Sequence, residues 1–245
     1  MKERIVTSAV LILFLLIVGF IDNRILTGAV IGVLAVVSYF EASKLFGAEE
    51  KEIFYILLAG VLLCIAFNPF VAAVFAVVAG ASYISYTQKD LNSLSPLIYP
   101  FISLMLLYAL YIKYGMGIIG WLIVTVALTD SFAYFVGKHF GKKFINIGFC
   151  PTSPNKSWEG VFGGVSIASV VGAFVGLAFM GFWSAFFITF FVSVSSVFGD
   201  LFESYLKRRA GVKDSGNILP GHGGVLDRID GYLFAAPVML VLMGV

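Results

Sequence analysis

Successive apolar stretches of nearly membrane-spanning length are the feature that most limits how this chain can fold. A transmembrane helix needs about 20 predominantly apolar residues. Nine runs approach that length, at residues 5–21, 25–40, 53–67, 69–87, 94–112, 117–137, 160–180, 182–202 and 225–245. Only 12% of the residues are charged, whereas a soluble domain has about 25%. We therefore predict an all-α polytopic membrane protein with about nine transmembrane helices.

The distribution of basic residues predicts how these helices are oriented. With nine spans, fourteen of the sixteen Lys and Arg residues fall on the side of the N-terminus, and Arg24 and Lys113 fall on the other. Because Lys and Arg are enriched in cytoplasmic loops, we predict a cytoplasmic N-terminus. The first apolar run has no small-residue cleavage site and is expected to be retained as a helix. The net charge of only +2 argues against a nucleic-acid partner.

The polar residues divide the chain into two regions near Gly115. We interpret residues 1–115 as a transmembrane scaffold and residues 116–245 as the catalytic region, because the second half holds every polar cluster of note. Within the scaffold, Asn68-Pro69 predicts a tight helical hairpin. Glycines inside the spans, such as Gly164 and Gly172, are predicted to allow close helix packing.

The first polar cluster lies at the end of the sixth apolar run. Asp130, Tyr134 and Lys138 are four residues apart, so they share one helix face. An ionisable residue within an apolar run needs a polar partner or a water-filled cavity. Asp130 is therefore either part of a polar site or a hydrogen-bonded group that locks two helices together.

The second cluster is PTSPNKSWEG, residues 151–160, whose two prolines predict an extended or turned backbone. Its donors for an anion are Ser153, Asn155, Lys156 and Ser157. Ser157 is also a candidate N-cap of the next helix, with Glu159 in its first turn. The two roles are compatible.

The third cluster is SYLKRRAGVKDSGNILPGHGGVLDRID, residues 204–230. Asp200, Ser204 and Lys207 share a helix face that leads into it, and Asp227 and Asp230 lie one turn apart at its end. Two such carboxylates can hold a divalent metal together with a phosphate. The alternative without catalytic function is a solvated loop whose positive charge orients the protein in the membrane.

Two residues of this third cluster keep open interpretations. His222 is either a structural hydrogen-bonding group or a catalytic base, and the first is commoner for a lone histidine among glycines. Metal binding by His222 is less expected, because an oxygen-rich site favours Mg²⁺ over zinc. Arg228 is a candidate to bind either a phosphate or Asp130.

The spacing within residues 204–230 resembles the phosphatidate cytidylyltransferase family, whose members are also called CDP-diacylglycerol synthases. The family's fixed positions correspond here to Ser204, Leu206, Lys207, Arg208, Lys213, Asp214, Gly216, Leu219, Pro220, His222, Gly223, Gly224, Val225, Asp227, Arg228, Ile229 and Asp230. DSFAYFVGK and SPNKSWEG resemble two further family motifs. The second motif usually reads S-P-K-K, so Asn155 departs from it and leaves Lys156 as the candidate anion ligand.

The resemblance implies transfer of CMP from CTP to phosphatidate, giving CDP-diacylglycerol and pyrophosphate, with Mg²⁺ as cofactor. It implies a homodimer in the bacterial inner membrane, with the active site facing the cytoplasm. Asp200, Asp227 and Asp230 would bind the metal. The triphosphate ligands would be Lys207, Arg208 and Lys213, and the lipid headgroup ligands would be Lys138 and Lys156. Ser204 would orient the metal or a phosphate. Further substrate-binding residues would be Ser153, His222 and Arg228.

Two other functions compete with this one. A CTP-dependent polyprenol or phytol kinase would transfer the γ-phosphoryl group instead and release CDP. A transporter that binds a cation at Asp130 would leave the spacing of residues 204–230 unexplained.

Overall fold

The computed structural model of the chain describes residues 2–48 and 50–244, and this part is almost entirely helical. The α-helices are α1 (Lys2–Ile21), α2 (Arg24–Phe46), α3 (Lys51–Ala66), α4 (Pro69–Thr87), α5 (Ser103–Tyr114), α6 (Met116–Phe140), α7 (Trp158–Gly176), α8 (Phe182–Arg209) and α9 (Leu226–Leu242). A 3₁₀ turn (Leu91–Leu94) and a π-helical turn (Leu97–Ile102) precede α5. A two-stranded antiparallel sheet, β1 (Gly148–Cys150) and β2 (Ser153–Ser157), lies between α6 and α7.

The helices confirm a multi-pass membrane protein. Within the described residues, six helices are long and apolar enough to cross a membrane: Arg24–Phe46, Pro69–Thr87, Leu91–Tyr114, Met116–Phe140, Trp158–Gly176 and Phe182–Arg209. The other three predicted spans form shorter apolar helices, namely Ile5–Ile21 within α1, the 16-residue α3 and the 17-residue α9. The helical class is therefore confirmed, while the count of nine spans and the orientation stay predictions.

The predicted hairpin at Asn68-Pro69 is confirmed. α3 ends at Ala66 and α4 begins at Pro69, whose missing N–H is tolerated in a first helical turn. The Asn68 side chain accepts a hydrogen bond from the Val71 backbone N at 2.9 Å and so caps α4.

The fifth predicted span is interrupted near its start by Pro100. Proline cannot donate an N–H to the helix ladder and crowds the preceding turn. The chain accordingly passes through the π-helical turn, in which Tyr99 has non-helical backbone angles, before α5 begins at Ser103.

The chain forms two compact units, which divide inside α8 and α9. The first unit comprises Met1–Met116 and Leu206–Ile229. Its core includes fully buried Leu57, Phe101 and Leu104, where α3 packs against α4 and α2 against α5. The predicted functional division near Gly115 stays a prediction, but residues 206–229 of the third polar cluster belong structurally with the N-terminal helices.

The second unit comprises Gly117–Tyr205 and Asp230–Val245. Trp121 is buried in it, and its indole Nε1 donates a hydrogen bond to the Gly172 carbonyl at 2.7 Å. Gly164 lies against the backbone of Thr129 and the side chain of Ala133, so any larger residue would separate α7 from α6. The predicted packing role of the span glycines is thereby confirmed.

Candidate active site

In the first unit, the loop between α8 and α9 folds around the carboxylate of Asp227. Oδ1 of Asp227 accepts a hydrogen bond from Nζ of Lys207 at 2.6 Å. Oδ2 accepts three more, from the backbone N of Ser215 at 2.9 Å, from Oγ of Ser215 at 2.9 Å and from the backbone N of Gly224 at 2.8 Å. Only 5% of the Asp227 side chain is exposed, so these donors take the place of water.

These contacts favour the ionised form of the Asp227 carboxyl group. Burial alone raises the pKa of a carboxyl group, because desolvation disfavours the charged form. The hydrogen bonds from Lys207, Gly224 and Ser215 outweigh that effect, and the pKa of Asp227 lies below its ordinary value. Asp227 stands in the polar first turn of α9, outside the six long apolar helices.

Two glycines determine the backbone path of this loop. Gly223 has φ +84°, a conformation rare for other residues, and a Cβ placed there would lie 2.7 Å from Oδ2 of Asp227. Gly211, with φ +71°, follows the end of α8, where the Val212 backbone N donates to the Lys207 carbonyl at 2.9 Å. The glycines therefore allow the loop to close on a carboxylate.

Glu41 in α2 contributes a second buried carboxylate to this cluster. The sequence did not predict it as a site residue. Its side chain is buried, and it accepts hydrogen bonds from the backbone N of Val225 and of Leu226 and from Oγ of Ser215. Hydropathy predicts that the second span ends at residue 40, which places Glu41 in a loop. α2 continues to Phe46, and the missed signal was the uncharged Ala42-Ser43 that follows Glu41.

His222 and Arg228 make contacts that stabilise the loop. Nε2 of His222 lies 3.0 Å from Oγ of Ser8 in α1. Arg228 donates from Nε and Nη2 to the carbonyl oxygen of His222, at 3.1 and 2.9 Å. These contacts favour the structural interpretation of His222, and substrate binding by either residue stays a prediction.

Two predicted triphosphate ligands have their side chains in solvent. Arg208, at the end of α8, and Lys213, in the loop, are both exposed. Both cations are therefore accessible to a polyanion.

In the second unit, a cavity of about 420 Å³ is lined by α6, β2, α7 and α8. Asp130, Tyr134 and Lys138 all line it, which confirms that they share a face of α6. Asp130 is exposed, and both of its predicted roles, in a polar site or as a lock between two helices, stay predictions. The walls between these polar groups include Val161 and Val197.

Lys156 and Asp200 form an ion pair at this cavity. Nζ of Lys156 contacts Oδ2 of Asp200, and both residues line the cavity. Their side chains are 28% and 34% exposed. Oγ of Ser204, one turn further along α8, donates a long hydrogen bond of 3.4 Å to Oδ1 of Asp200, as the predicted helix face requires.

The PTSPNKSWEG motif forms the strand and helix start that carry Lys156. Oγ of Ser157 accepts from the Gly160 backbone N at 3.1 Å, which confirms it as the N-cap of α7. Ser153 pairs with Cys150 at the other end of the hairpin and is not among the residues that line the cavity. Its role as a substrate ligand stays a prediction.

Glu159 has an additional role that the sequence did not indicate. Its carboxylate accepts hydrogen bonds from the backbone N of Lys142, Phe144 and Ile145, at 3.2, 3.0 and 2.8 Å. Glu159 thereby fixes the segment between α6 and β1, which follows Lys138.

The predicted metal ligands do not form a three-residue cluster. Among residues 2–48 and 50–244, no three His, Cys, Asp or Glu side chains come together in an arrangement that could hold a metal ion. Oδ1 of Asp230 accepts from the Gly231 backbone N at 2.8 Å. Metal binding by Asp200, Asp227 and Asp230 stays a prediction.

Comparison with known proteins gives consistent results along the whole chain. The pattern described as "Cytidylyltransferase family" matches residues 2–245. The phosphatidate cytidylyltransferase of Helicobacter pylori (strain ATCC 700392 / 26695) is 42% identical, over 96% of this chain and 89% of its own length. Those of Bacillus subtilis (strain 168) and Thermotoga maritima are 35% and 32% identical, each over 99% of this chain and over 97% and 96% of their own lengths.

Proposed function

Because the chain belongs to the cytidylyltransferase family, we propose that it transfers CMP from CTP to phosphatidate. The products are CDP-diacylglycerol and pyrophosphate, and the reaction serves phospholipid biosynthesis. Similarity to enzymes of this name over nearly the full length of both chains is the observation that carries the proposal.

The reaction needs little covalent chemistry from the protein. A phosphate oxygen of phosphatidate attacks the α-phosphorus of CTP, the bond from that phosphorus to the bridging oxygen breaks, and pyrophosphate leaves with the electron pair. A phosphomonoester already carries between one and two negative charges near pH 7, so a strong general base is unnecessary. The protein's task is to bring two polyanions together and to stabilise charge on the leaving group.

The cavity of the second unit is our proposed site for the lipid headgroup. Lys138 and Lys156 supply the positive charge, and the apolar residues beside them suit the start of a diacyl lipid. In the present structure Lys156 is neutralised by Asp200. A phosphate that enters the cavity would compete for that ammonium group, since charge-assisted hydrogen bonds to phosphate are among the stronger ones.

The loop after α8 is our proposed site for the triphosphate. Lys207, Arg208 and Lys213 lie within seven residues of each other, and two of them are exposed. Lys207 is pre-positioned by its hydrogen bond to Asp227. Stabilising the β- and γ-phosphates at these cations lowers the barrier to pyrophosphate departure.

The residues present fit a magnesium ion. Mg²⁺ commonly takes only one or two protein carboxylates and completes its shell with water and substrate phosphates. Asp130 and Asp200 line the same cavity, and Asp200 already holds a cation, the Lys156 ammonium. Asp200, which lines this cavity, is our first choice of ligand. Asp230 stays a candidate from its sequence spacing, and Asp227 would have to exchange one of its present donors. When bound, the ion would neutralise phosphate charge.

The proposed arrangement in the membrane places most basic residues on the side where CTP is available. We propose nine spans, with α1, α3 and the apolar part of α9 completing the six longer helices, and a cytoplasmic N-terminus in the bacterial inner membrane. Fourteen of the sixteen basic residues then face the cytoplasm, where CTP is made. The homodimer that the family resemblance implies is part of this proposal and is tested by light scattering of the purified protein.

A product assay tests the function. Purified protein in vesicles would be given CTP labelled in the α-phosphate or in the γ-phosphate, with and without phosphatidate. We expect the α-label to enter the lipid and the γ-label to leave as pyrophosphate, only when phosphatidate is present. Transfer of the γ-label to a lipid with release of CDP would instead identify a lipid kinase. CTP-independent transport of a solute would identify a transporter.

A further inference from the structure

Glu41 is a buried carboxylate whose partners all lie more than 170 positions away along the chain. Only 3% of the residue is exposed. Oε1 accepts from the Val225 backbone N at 3.0 Å, and Oε2 accepts from the Leu226 backbone N at 2.7 Å. Oγ of Ser215 lies 3.3 Å from the same Oε2.

These partners are uncharged, so Glu41 is stabilised by hydrogen bonds and not by an opposite charge. Desolvating a carboxylate is costly unless hydrogen bonds or opposite charge replace water. Val225 and Leu226 are at the start of α9, where backbone N–H groups lack helical acceptors and the helix dipole favours a negative charge. In the described part of the chain, no Lys or Arg forms an ion pair with Glu41.

Ser215 connects Glu41 to Asp227. Its single hydroxyl proton faces Oδ2 of Asp227 at 2.9 Å as well as Oε2 of Glu41. Its backbone N also donates to Asp227. One residue therefore holds two buried carboxylates at a fixed separation.

The surrounding glycines leave Glu41 little freedom. A Cβ on either Gly216 or Gly224 would collide with the Glu41 carboxylate, and one on Gly224 would also collide with Oγ of Ser215. The loop backbone thus approaches the Glu41 carboxylate closely at both glycines.

We infer that Glu41 is a positioning residue for the reaction: it fixes the first turn of α9 and Ser215, and thereby sets where Asp227 holds the Lys207 ammonium. This inference rests on the proposed function, in which Lys207 binds the triphosphate. It makes α2, in the half of the chain predicted to be scaffold, a working part of the nucleotide site.

The test compares Glu41→Gln and Glu41→Asp with a control in the same helix. Gln keeps the shape of Glu41 but can accept only at one atom, while Asp keeps the charge but is one methylene too short. Ser38→Ala is the control, because Ser38 is fully buried in α2 and its hydroxyl has no hydrogen-bond partner in the described residues.

We expect kcat per folded molecule to fall about ten- to a hundredfold in Glu41→Gln, the size expected for losing a hydrogen bond to a charged group. The KM for phosphatidate should change less than twofold, since Lys138 and Lys156 are untouched. Glu41→Asp should recover part of the loss, and Ser38→Ala should match the wild type. Unchanged kcat per folded molecule in Glu41→Gln would overturn the inference, because a purely structural role lowers only the melting temperature and the folded fraction.

Hydrogen exchange of the wild-type protein supplies a measurement that needs neither variant nor activity. The amides of Val225 and Leu226 should exchange slowly, and slower than those of the exposed residues 217 and 218. Rapid exchange at both would overturn the inference even if the Glu41 variants fail to fold. Absence of pyrophosphate release by the wild type would refute the proposed function and leave this measurement of the Glu41 contacts standing.

Discussion

The ammonium group of Lys207 lies 2.6 Å from Oδ1 of Asp227, and the two side chains are only 13% and 5% exposed. A predicted triphosphate ligand and a predicted metal ligand therefore neutralise each other in this structure. Any substrate or metal that uses one of them alters the electrostatic environment of the other.

Removing Lys207 alone should destabilise the first unit. Lys207→Met leaves the Asp227 charge buried without its cation, and breaking such a pair costs about 3–5 kcal/mol. The double variant Lys207→Met/Asp227→Asn should recover much of that loss while remaining inactive. Thermal melts of the wild type, both single variants and the double variant measure the coupling. Melting of Lys207→Met at the wild-type temperature would show that the pair contributes nothing.

Replacing Lys156 should weaken the use of phosphatidate more than the use of CTP. Lys156→Ala removes one charge-assisted contact, and we expect the KM for phosphatidate to rise about tenfold or more. Lys142→Ala is the matched control, because Lys142 carries the same charge and is not among the cavity residues. An equal rise in both KM values would assign Lys156 a structural role.

Asp230 should matter for the metal requirement. Asp230→Asn removes a negative charge from an oxygen-donor site and should raise the Mg²⁺ concentration needed for half-maximal turnover. Asp214→Asn, an exposed carboxylate of the neighbouring loop, should leave that concentration within twofold of the wild-type value. Initial rates across a Mg²⁺ series decide between them, and identical curves for the two variants would remove Asp230 from the metal site.

The two sides of the membrane can be identified by cysteine labelling. In a background that lacks Cys64 and Cys150, we expect Ile218→Cys to react with an impermeant reagent from the cytoplasmic side. We expect Lys113→Cys to react from the opposite side. Ile218 is 57% exposed, so poor access does not limit the reaction. Labelling of both positions from one side would contradict the nine-span arrangement.

The sequence predicted those features that depend on local spacing. Asp130, Tyr134 and Lys138 share a helix face because their four-residue separation follows the helical repeat, and they line one cavity. Asn68-Pro69 and Ser157 act as helix starts because their capping chemistry involves only the next three residues.

Such local patterns did not predict the contacts between distant parts of the chain. Nothing local to Glu41 indicates that Val225 and Leu226 will donate to it, and hydropathy alone ended its helix too early. The sequence likewise did not indicate the three loop donors and Lys207 that surround the Asp227 carboxylate. Which partner a buried carboxylate takes depends on the folded loop and not on residue spacing.

The separation between Glu41 and its donors also affects how the protein is made. Val225 is 184 positions and Leu226 is 185 positions further along the chain. At a synthesis rate of about 5–20 residues per second, α2 waits on the order of ten seconds or more before these amides emerge from the ribosome. Throughout that interval the newly inserted helix carries a carboxylate without its final partners. The loop proposed to hold the triphosphate therefore reaches its final contacts with α2 only at the end of translation.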